Sequence, residues 1–411
     1  MSRTIRAATI LQIIPHLDTG GAEMATVEIC DAVTRAGGRA LVFTEGGRMA
    51  GDVEQAGGII VPFPAATKNP ARIAINGLKL ARIIRERGVD LIHARSRAPA
   101  WSALLAARRT GIAFVTTYHG AYGEGAPFKR FYNSVMARGQ IVIANSNYTA
   151  KLVRERHETP ESRIRVIPRG VDLAAFDPDA VSRARIQKLR RQWGVDARDR
   201  VVLHAARLTG WKGQRHVIDA AGALARAGLS ERVAFILAGD PQGRESYAAS
   251  LEFQIRALGL DGQVRLVGHC ADMPAAFAAA HVALVASTEP EAFGRASAEA
   301  QAMGCPVIVT KQGASPETLL VDERDGKAKR TGWIVPVADA EALSNAVREA
   351  LDLGEERRRA MGKRARAHVM EAFSSTQMKR DTLDVYDKLL RSALARSFDD
   401  AVLSGAGNPA P

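Results

Sequence analysis

The sequence predicts an α/β protein of two doubly wound, parallel-sheet domains, and three observations carry that reading. The chain has 411 residues, more than one hydrophobic core usually supports. Short apolar segments alternate with longer helix-forming ones through both halves, the pattern of strand–helix–strand units with parallel sheets. The composition, 46% hydrophobic and 25% charged, is that of a folded globular chain rather than a disordered one.

In the first half, Ala7–Ile14 reads as a strand that ends at Pro15 and leads into a Gly20-Gly21 turn. Ala22–Ala36 is rich in helix formers, and Gly37-Gly38 closes it like a C-terminal cap. Further strands are expected at Arg39–Phe43, Gly58–Pro62, Leu91–His93, Phe114–Thr117, Ile141–Ala144 and Arg165–Ile167, with helices such as Ile73–Arg87 and Ala100–Arg109 between them. The stretch 172–198, with Asp177-Pro178-Asp179 and the basic helix Arg183–Trp193, reads as the inter-domain linker. A second strand series then runs through Arg200–Ala205, Val233–Ala238, Val264–Val267, Val282–Ala286, Pro306–Val309 and Trp333–Pro336. A helix at Ser375–Leu394 follows a break near Phe373-Ser374, and the small, polar tail beyond Ser397 reads as frayed. The expected domains are 1–180 and 195–374.

No run approaches the roughly 18 apolar residues of a membrane span. Met1-Ser2-Arg3-Thr4-Ile5-Arg6 leads straight into a strand, without the apolar stretch and cleavage site of a secretory leader. Three widely spaced cysteines, Cys30, Cys270 and Cys305, argue against a disulfide framework or zinc site and fit a reducing cytoplasm. The formal charge of +13 is concentrated: residues 51–150 hold 13 Lys and Arg against 5 Asp and Glu. Such a surface suits anionic lipid, nucleic acid or a phosphorylated acceptor, or is simply a solvated basic face. Nucleic acid is the weaker reading, because aromatics make up only 5% of the chain and no RNA-binding signature accompanies the charge.

The most specific signature is Glu291-Ala292-Phe293-Gly294-Arg295-Ala296-Ser297-Ala298-Glu299. The apolar segment before it suits a buried strand and the segment after it a helix, so Glu291 falls in the turn and Glu299 near the helix start. Gly294 leaves room for a ligand at the helix N-terminus, where anions are favoured. The two carboxylates would accept hydrogen bonds from hydroxyls, which makes the segment a plausible sugar-nucleotide cradle.

Other candidates sit after strands, where doubly wound sheets bind ligands. Arg207 and Lys212, beside Gly210 and Gly213, suit a diphosphate, Arg as a planar fork and Lys as a mobile point charge; a solvated basic loop is the plain alternative. Gly20 and Gly21 would let backbone N–H groups approach a phosphate, or are only a tight turn. They do not complete the G-x-G-x-x-G pattern of a dinucleotide site. His119, ending a strand before Gly120, is placed to bond a hydroxyl or to sit as a satisfied rim histidine. Asp177-Pro178-Asp179 resembles a metal-binding acid pair, yet no strand precedes it, and an ordinary loop is the better reading.

Taken together, Gly20-Gly21-Ala22-Glu23, Tyr118-His119-Gly120, Ile167-Pro168-Arg169-Gly170-Val171-Asp172, Arg207 with Lys212, Gly239-Asp240 and Glu291 through Glu299 resemble the retaining glycosyltransferases of the group 1 or family-4 type, bacterial enzymes of lipopolysaccharide and other cell-surface glycan synthesis. The likeness runs nearly the whole chain; Arg169 departs from it, since many relatives carry Asn there. It implies the GT-B fold, two Rossmann-like domains facing across a cleft, with a C-terminal helix at about 375–396 completing the first. It also implies that the second domain binds a nucleotide-sugar donor, UDP-linked by family weight. Glu299 would then hold the ribose, Arg207 and Lys212 the diphosphate, and Glu291 with the Phe293-Gly294 backbone the sugar. His119 would contact the sugar from the first domain, with Gly21 near the diphosphate.

The resemblance further implies that growing charge on the leaving diphosphate is met by Arg207 and Lys212, without a metal or other cofactor. Glu291 is not taken as a nucleophile, since front-face substitution is the common proposal for such enzymes. The expected acceptor is a glycan or glycolipid, and the basic first half suggests peripheral contact with anionic membrane at its cytoplasmic face. The competing readings are a sugar-nucleotide epimerase on a similar scaffold and a non-catalytic nucleotide-sugar-binding protein.

Overall fold

The computed structural model describes residues 7–18, 20–123, 127–229, 231–321 and 329–405. It separates into two compact units, one up to Gly170 and again from Ser375, the other Val171–Ser374.

The first unit follows the order β1 (Thr9–Ile13), α1 (Gly21–Arg35), β2 (Arg39–Thr44), α2 (Ala50–Gln55), β3 (Ile59–Pro62), α3 (Pro70–Arg87), β4 (Leu91–Ala94), α4 (Arg97–Thr110), β5 (Ala113–Tyr118), α5 (Pro127–Asn133), β6 (Ile141–Ala144), α6 (Asn147–His157) and β7 (Ile164–Val166). Its strands pair in parallel in the order β3-β2-β1-β4-β5-β6-β7. Local chemistry sets the helix ends. Asn69 caps α3 by accepting from Arg72 N–H at 3.1 Å, Pro70 occupies the first turn, and Gly88 closes the helix at φ 61°. Ser146 and Thr149 form a reciprocal capping box at the start of α6.

In the second unit α7 (Arg183–Gln192) precedes β8 (Arg200–Ala205), α8 (Gln214–Arg226), β9 (Val233–Ala238), α9 (Glu245–Ala257), β10 (Val264–Gly268), α10 (Met273–Ala279), β11 (Val282–Val285), α11 (Arg295–Ala302), β12 (Val307–Thr310), β13 (Gly332–Val335), α12 (Ala340–Leu351) and α13 (Glu355–Ala372). The sheet order is β10-β9-β8-β11-β12-β13, again parallel. Strands buried on both faces read as continuous apolar runs, such as Val233–Ala238. This explains why the buried strands among the described residues lie within two residues of segments predicted from the sequence, while the less buried β3, Ile59–Pro62, is legible from its β-branched run instead.

Two expectations are corrected. The stretch 172–198 is not a linker between domains, and the first domain stops ten residues before 180. The division falls at Gly170/Val171 because Val171 is buried with Phe293 and Phe373, while Val181, Leu189, Trp193 and Val195 join the apolar cluster of the second unit. The chain beyond Ser397 is not frayed as far as Gly405. After α14 (Ser375–Leu390), α15 (Leu394–Leu403) docks Leu394, Ala395 and Phe398 into the first unit's core, beside α1. Asp387 caps the turn, accepting from Leu394 and Ala395 N–H at 2.7 and 2.8 Å. Residues 406–411 lie outside the described residues, as do the first six.

Candidate functional site

A doubly wound sheet opens a crevice at the carboxyl ends of its strands, where the strand order reverses. In the second unit that point lies between β8 and β11. The loop after β8 carries Arg207 and Lys212, and the turn after β11 carries Glu291. The structure joins two of these directly: Lys212 Nζ lies 2.8 Å from Glu291 Oε1, with the two side chains 17% and 12% exposed. The same oxygen accepts from Ser287 Oγ, while Glu291 Oε2 takes no hydrogen bond among the described residues. Lys212 also lies over the Trp211 ring, 4.2 Å from its centroid. Arg207 is exposed and its guanidinium makes no ion pair among the described residues; only its backbone carbonyl is used, by Gln214 Nε2 at 2.8 Å.

Glycine makes this packing feasible. At Gly213, φ is 79° and a Cβ would stand 1.9 Å from the Ala286 carbonyl oxygen, so only glycine lets the β8 loop pass under the end of β11. Gly294, at φ 105°, ends the turn as the N-cap of α11. Phe293 is buried against Phe373, ring centroids 5.4 Å apart, so its side chain anchors the turn and leaves backbone to face a ligand. Glu299, one turn into α11, accepts from Arg295 Nε at 2.7 Å. Burial pushes the Glu299 carboxyl upward, and Arg295 opposes the shift. His204, beneath this region, bonds Leu284 O through Nδ1 at 3.0 Å, and burial holds its imidazole down to about 4.

In the first unit the corresponding reversal lies between β1 and β4. Gly20 is the N-cap of α1 and Gly21 its first residue; a Cβ on Gly21 would meet nothing within 4 Å. His119 follows β5. Its Nδ1 accepts a hydrogen bond from the Arg169 guanidinium, and its Nε2 is buried without a partner among the described residues. Burial, then the charges of Arg169 and Arg95, keep its pKa well below the usual histidine value.

Sequence reasoning missed two residues of the first unit's site and one of the second's. Arg95, directly after β4, is 3% exposed, and its Nε donates to Gln12 Oε1 at 2.9 Å. Its hydrogen-bond partners, Gln12 and Thr117, are neutral. The available signal is a lone Arg ending an apolar strand, two residues after His93. Arg169 had been noted only as a departure from the family pattern. Ser287, four residues before Glu291, carried no signal of its own. Asp177 accepts from Arg366 at 3.1 Å, so one acid of the Asp177-Pro178-Asp179 pair serves an ion pair within the second unit.

Comparison with known proteins gives a consistent picture. Residues 19–175 match the family model described as Glycosyltransferase Family 4, and residues 185–368 match Glycosyl transferases group 1. A D-inositol 3-phosphate glycosyltransferase of Salinispora tropica is 30% identical over 350 residues, spanning 80% of this chain and 70% of the relative. A glycosyltransferase structure from Rickettsia africae superposes with a TM-score of 0.85 and 31% identity, covering 94% of this chain and all of that one. Anabaena HepE in complex with UDP and glucose gives a TM-score of 0.79 and 26% identity, with 92% and 99% covered.

Proposed function

Since the chain belongs to the group 1 glycosyltransferases of GT-B fold, and so transfers a sugar from a nucleotide-sugar donor, we propose that it is a retaining, metal-independent enzyme whose second unit holds a UDP-linked donor at the β8/β11 reversal. The Lys212–Glu291 pair carries this reading, because it joins a cation suited to a leaving diphosphate and a carboxylate suited to sugar hydroxyls at the one edge where such sheets bind ligands. Arg207, exposed and without an ion pair among the described residues, supplies the second cation. As the C1–O bond breaks, charge grows on the diphosphate, and fixed cations stabilise that charge more than the ground state. Glu299 accepts from the ribose hydroxyls, with Arg295 orienting its carboxylate. Glu291 Oε2 and the Phe293-Gly294 backbone meet the sugar; His119 is assigned to a sugar hydroxyl, and Gly20 and Gly21 to the diphosphate. UDP is supported by likeness to the UDP-bound HepE structure.

For the acceptor we propose a phosphorylated glycan or glycolipid, with envelope polysaccharide or lipopolysaccharide as the setting. Its support is the basic excess over residues 51–150 together with Arg95 at the first unit's reversal. A small phosphorylated polyol is a second reading, favoured by the S. tropica relative, named for D-inositol 3-phosphate. No helix among the described residues is long and apolar enough to cross a membrane. Peripheral contact would use the exposed Ile75 and Leu78 of α3 and Phe128 and Phe131 of α5, which stand among Arg72, Lys79, Lys129 and Arg130.

The test is a panel of nucleotide sugars read by thermal shift and hydrolysis, then transfer assays with lipid-linked glycans against phosphorylated polyols. Stabilisation by a UDP-sugar, unchanged by chelator, is the expected result; strict dependence on a divalent ion would overturn the metal-independent reading. Isomerised donor recovered without an acceptor would favour an epimerase. Liposome co-sedimentation that is equal with and without anionic lipid would remove the membrane contact.

A further inference from the structure

A guanidinium has only N–H donors. The hydrogen bond between Arg169 and His119 Nδ1 therefore requires Nδ1 to be the acceptor, with a lone pair and no proton. The neutral ring must then carry its proton on Nε2, the nitrogen that is buried and without a partner among the described residues. Histidine's two tautomers differ in which edge of the ring can donate, and the partner of one nitrogen fixes the state of the other.

We propose that Arg169 is a positioning residue that holds His119 as a neutral Nε2–H donor, aimed at a hydroxyl of the transferred sugar. The proposal rests on the reading that His119 contacts that sugar. Its support is geometric: Arg169 follows β7 and His119 follows β5, so two separate strand ends bring the pair together. A buried donor left unpaired carries a desolvation cost, which is removed when a ligand acceptor arrives. The atom is covered, so the hydroxyl must displace a neighbour to reach it.

The surroundings favour the same state. The groups facing His119 are Arg169, Arg95 from the end of β4, His93 within β4, and Tyr122, whose hydroxyl accepts from His119 N–H at 3.4 Å. His93 is itself buried between Tyr386 and Thr117, with its pKa pushed well below the usual value. The charges acting on His119 are thus cationic, and they oppose a second proton on the ring. Arg169 prevents formation of the imidazolium, fixes the tautomer and orients the plane. An asparagine here would supply no charge, so the departure from the common Asn changes how the histidine is controlled.

The experiment is NMR of the full-length enzyme with 15N-labelled histidine, His119 being assigned by its loss in His119→Gln, together with pH profiles of kcat/KM. In the unsubstituted enzyme, His119 is expected as the Nε2–H tautomer, titrating only well below the ordinary histidine range. Arg169→Gln should give mixed tautomers, move titration toward the ordinary histidine value, and shift the acid limb of kcat/KM to higher pH. A loss of about fivefold to tenfold below neutrality should accompany it. Arg169→Lys, which keeps charge and a donor, should restore much of the profile. A proton on Nδ1 in the unsubstituted enzyme overturns the proposal without any variant having to fold. It is also overturned if Arg169→Gln leaves the titration and the acid limb unchanged. If the NMR behaves as expected but His119→Gln keeps full turnover and donor KM, the positioning role stands and the sugar contact fails.

Discussion

Lys212 and Glu291, 79 positions apart in sequence, form an ion pair at 2.8 Å in which each side chain is more than four-fifths shielded from solvent. The pair makes the two functional groups interdependent. Removing Lys212 takes a cation from the leaving group and also leaves a shielded carboxylate with Ser287 as its one side-chain donor among the described residues. Lys212→Ala should therefore reduce kcat by about 100- to 1,000-fold and lower stability by roughly 1–3 kcal/mol. The double variant Lys212→Met with Glu291→Gln should recover most of the stability and none of the turnover. Steady-state kinetics and denaturant melts read both. A folded Lys212→Ala protein with near-native turnover would refute the diphosphate assignment.

Gly213 is the steric condition for that pair. Gly213→Ala should cost at least about 2 kcal/mol, since a Cβ would overlap the Ala286 carbonyl and the residue sits at φ 79°. Turnover should fall with it, because the loop that delivers Lys212 must move away from β11. Gly210→Ala is the matched control: its Cβ would meet nothing within 4 Å, and stability should change by no more than about 0.5 kcal/mol. Equal melting behaviour of the two variants would show that the close approach does not constrain the loop.

These contacts mark how far the sequence alone could reach. Strand positions were legible because fully buried parallel strands leave uninterrupted apolar runs, as at Val282–Val285, bounded by polar turns. The Arg295–Glu299 pair was legible in principle, as a cation and an acid four residues apart on one helix. The Lys212–Glu291 and Arg169–His119 contacts were not, because each joins the ends of different strands and depends on sheet order. The tail was misread on composition: small and polar residues outnumber the apolar ones, but Leu394 and Phe398 stand four apart and suffice to dock a helix.

Glu299 carries a pH prediction. Burial raises its folded-state pKa, so the group's contribution to stability is present below the ordinary carboxylate range and is lost as pH rises through the raised value. Binding runs the other way, since the ionised form is the acceptor for ribose hydroxyls. Donor KM should therefore rise as the solution is acidified through that raised pKa. Glu299→Gln should abolish this limb and weaken donor binding at neutral pH by about tenfold or more. Its stability relative to the unsubstituted protein should grow from acid to neutral pH. Calorimetric titration with UDP across the acid range reads the first effect, and a Glu299→Gln curve that keeps the acid limb would assign it to another group.

Acid should also destabilise the fold beneath the site. His204 is 2% exposed and its pKa is held down to about 4 by burial, with Lys212 adding to the shift. A depressed pKa contributes stability that is present above the unfolded histidine value of about 6.5 and is lost as pH falls through the folded value. For His204 the loss is on the order of 3 kcal/mol between those limits. His281, also pushed down to about 4 and surrounded by Arg358, Arg190 and Arg200, acts in the same direction. Urea unfolding at stepped pH should show stability declining from about pH 6.5 toward 4, and His204→Gln should flatten that slope. An unchanged slope in the variant would remove His204 as its source.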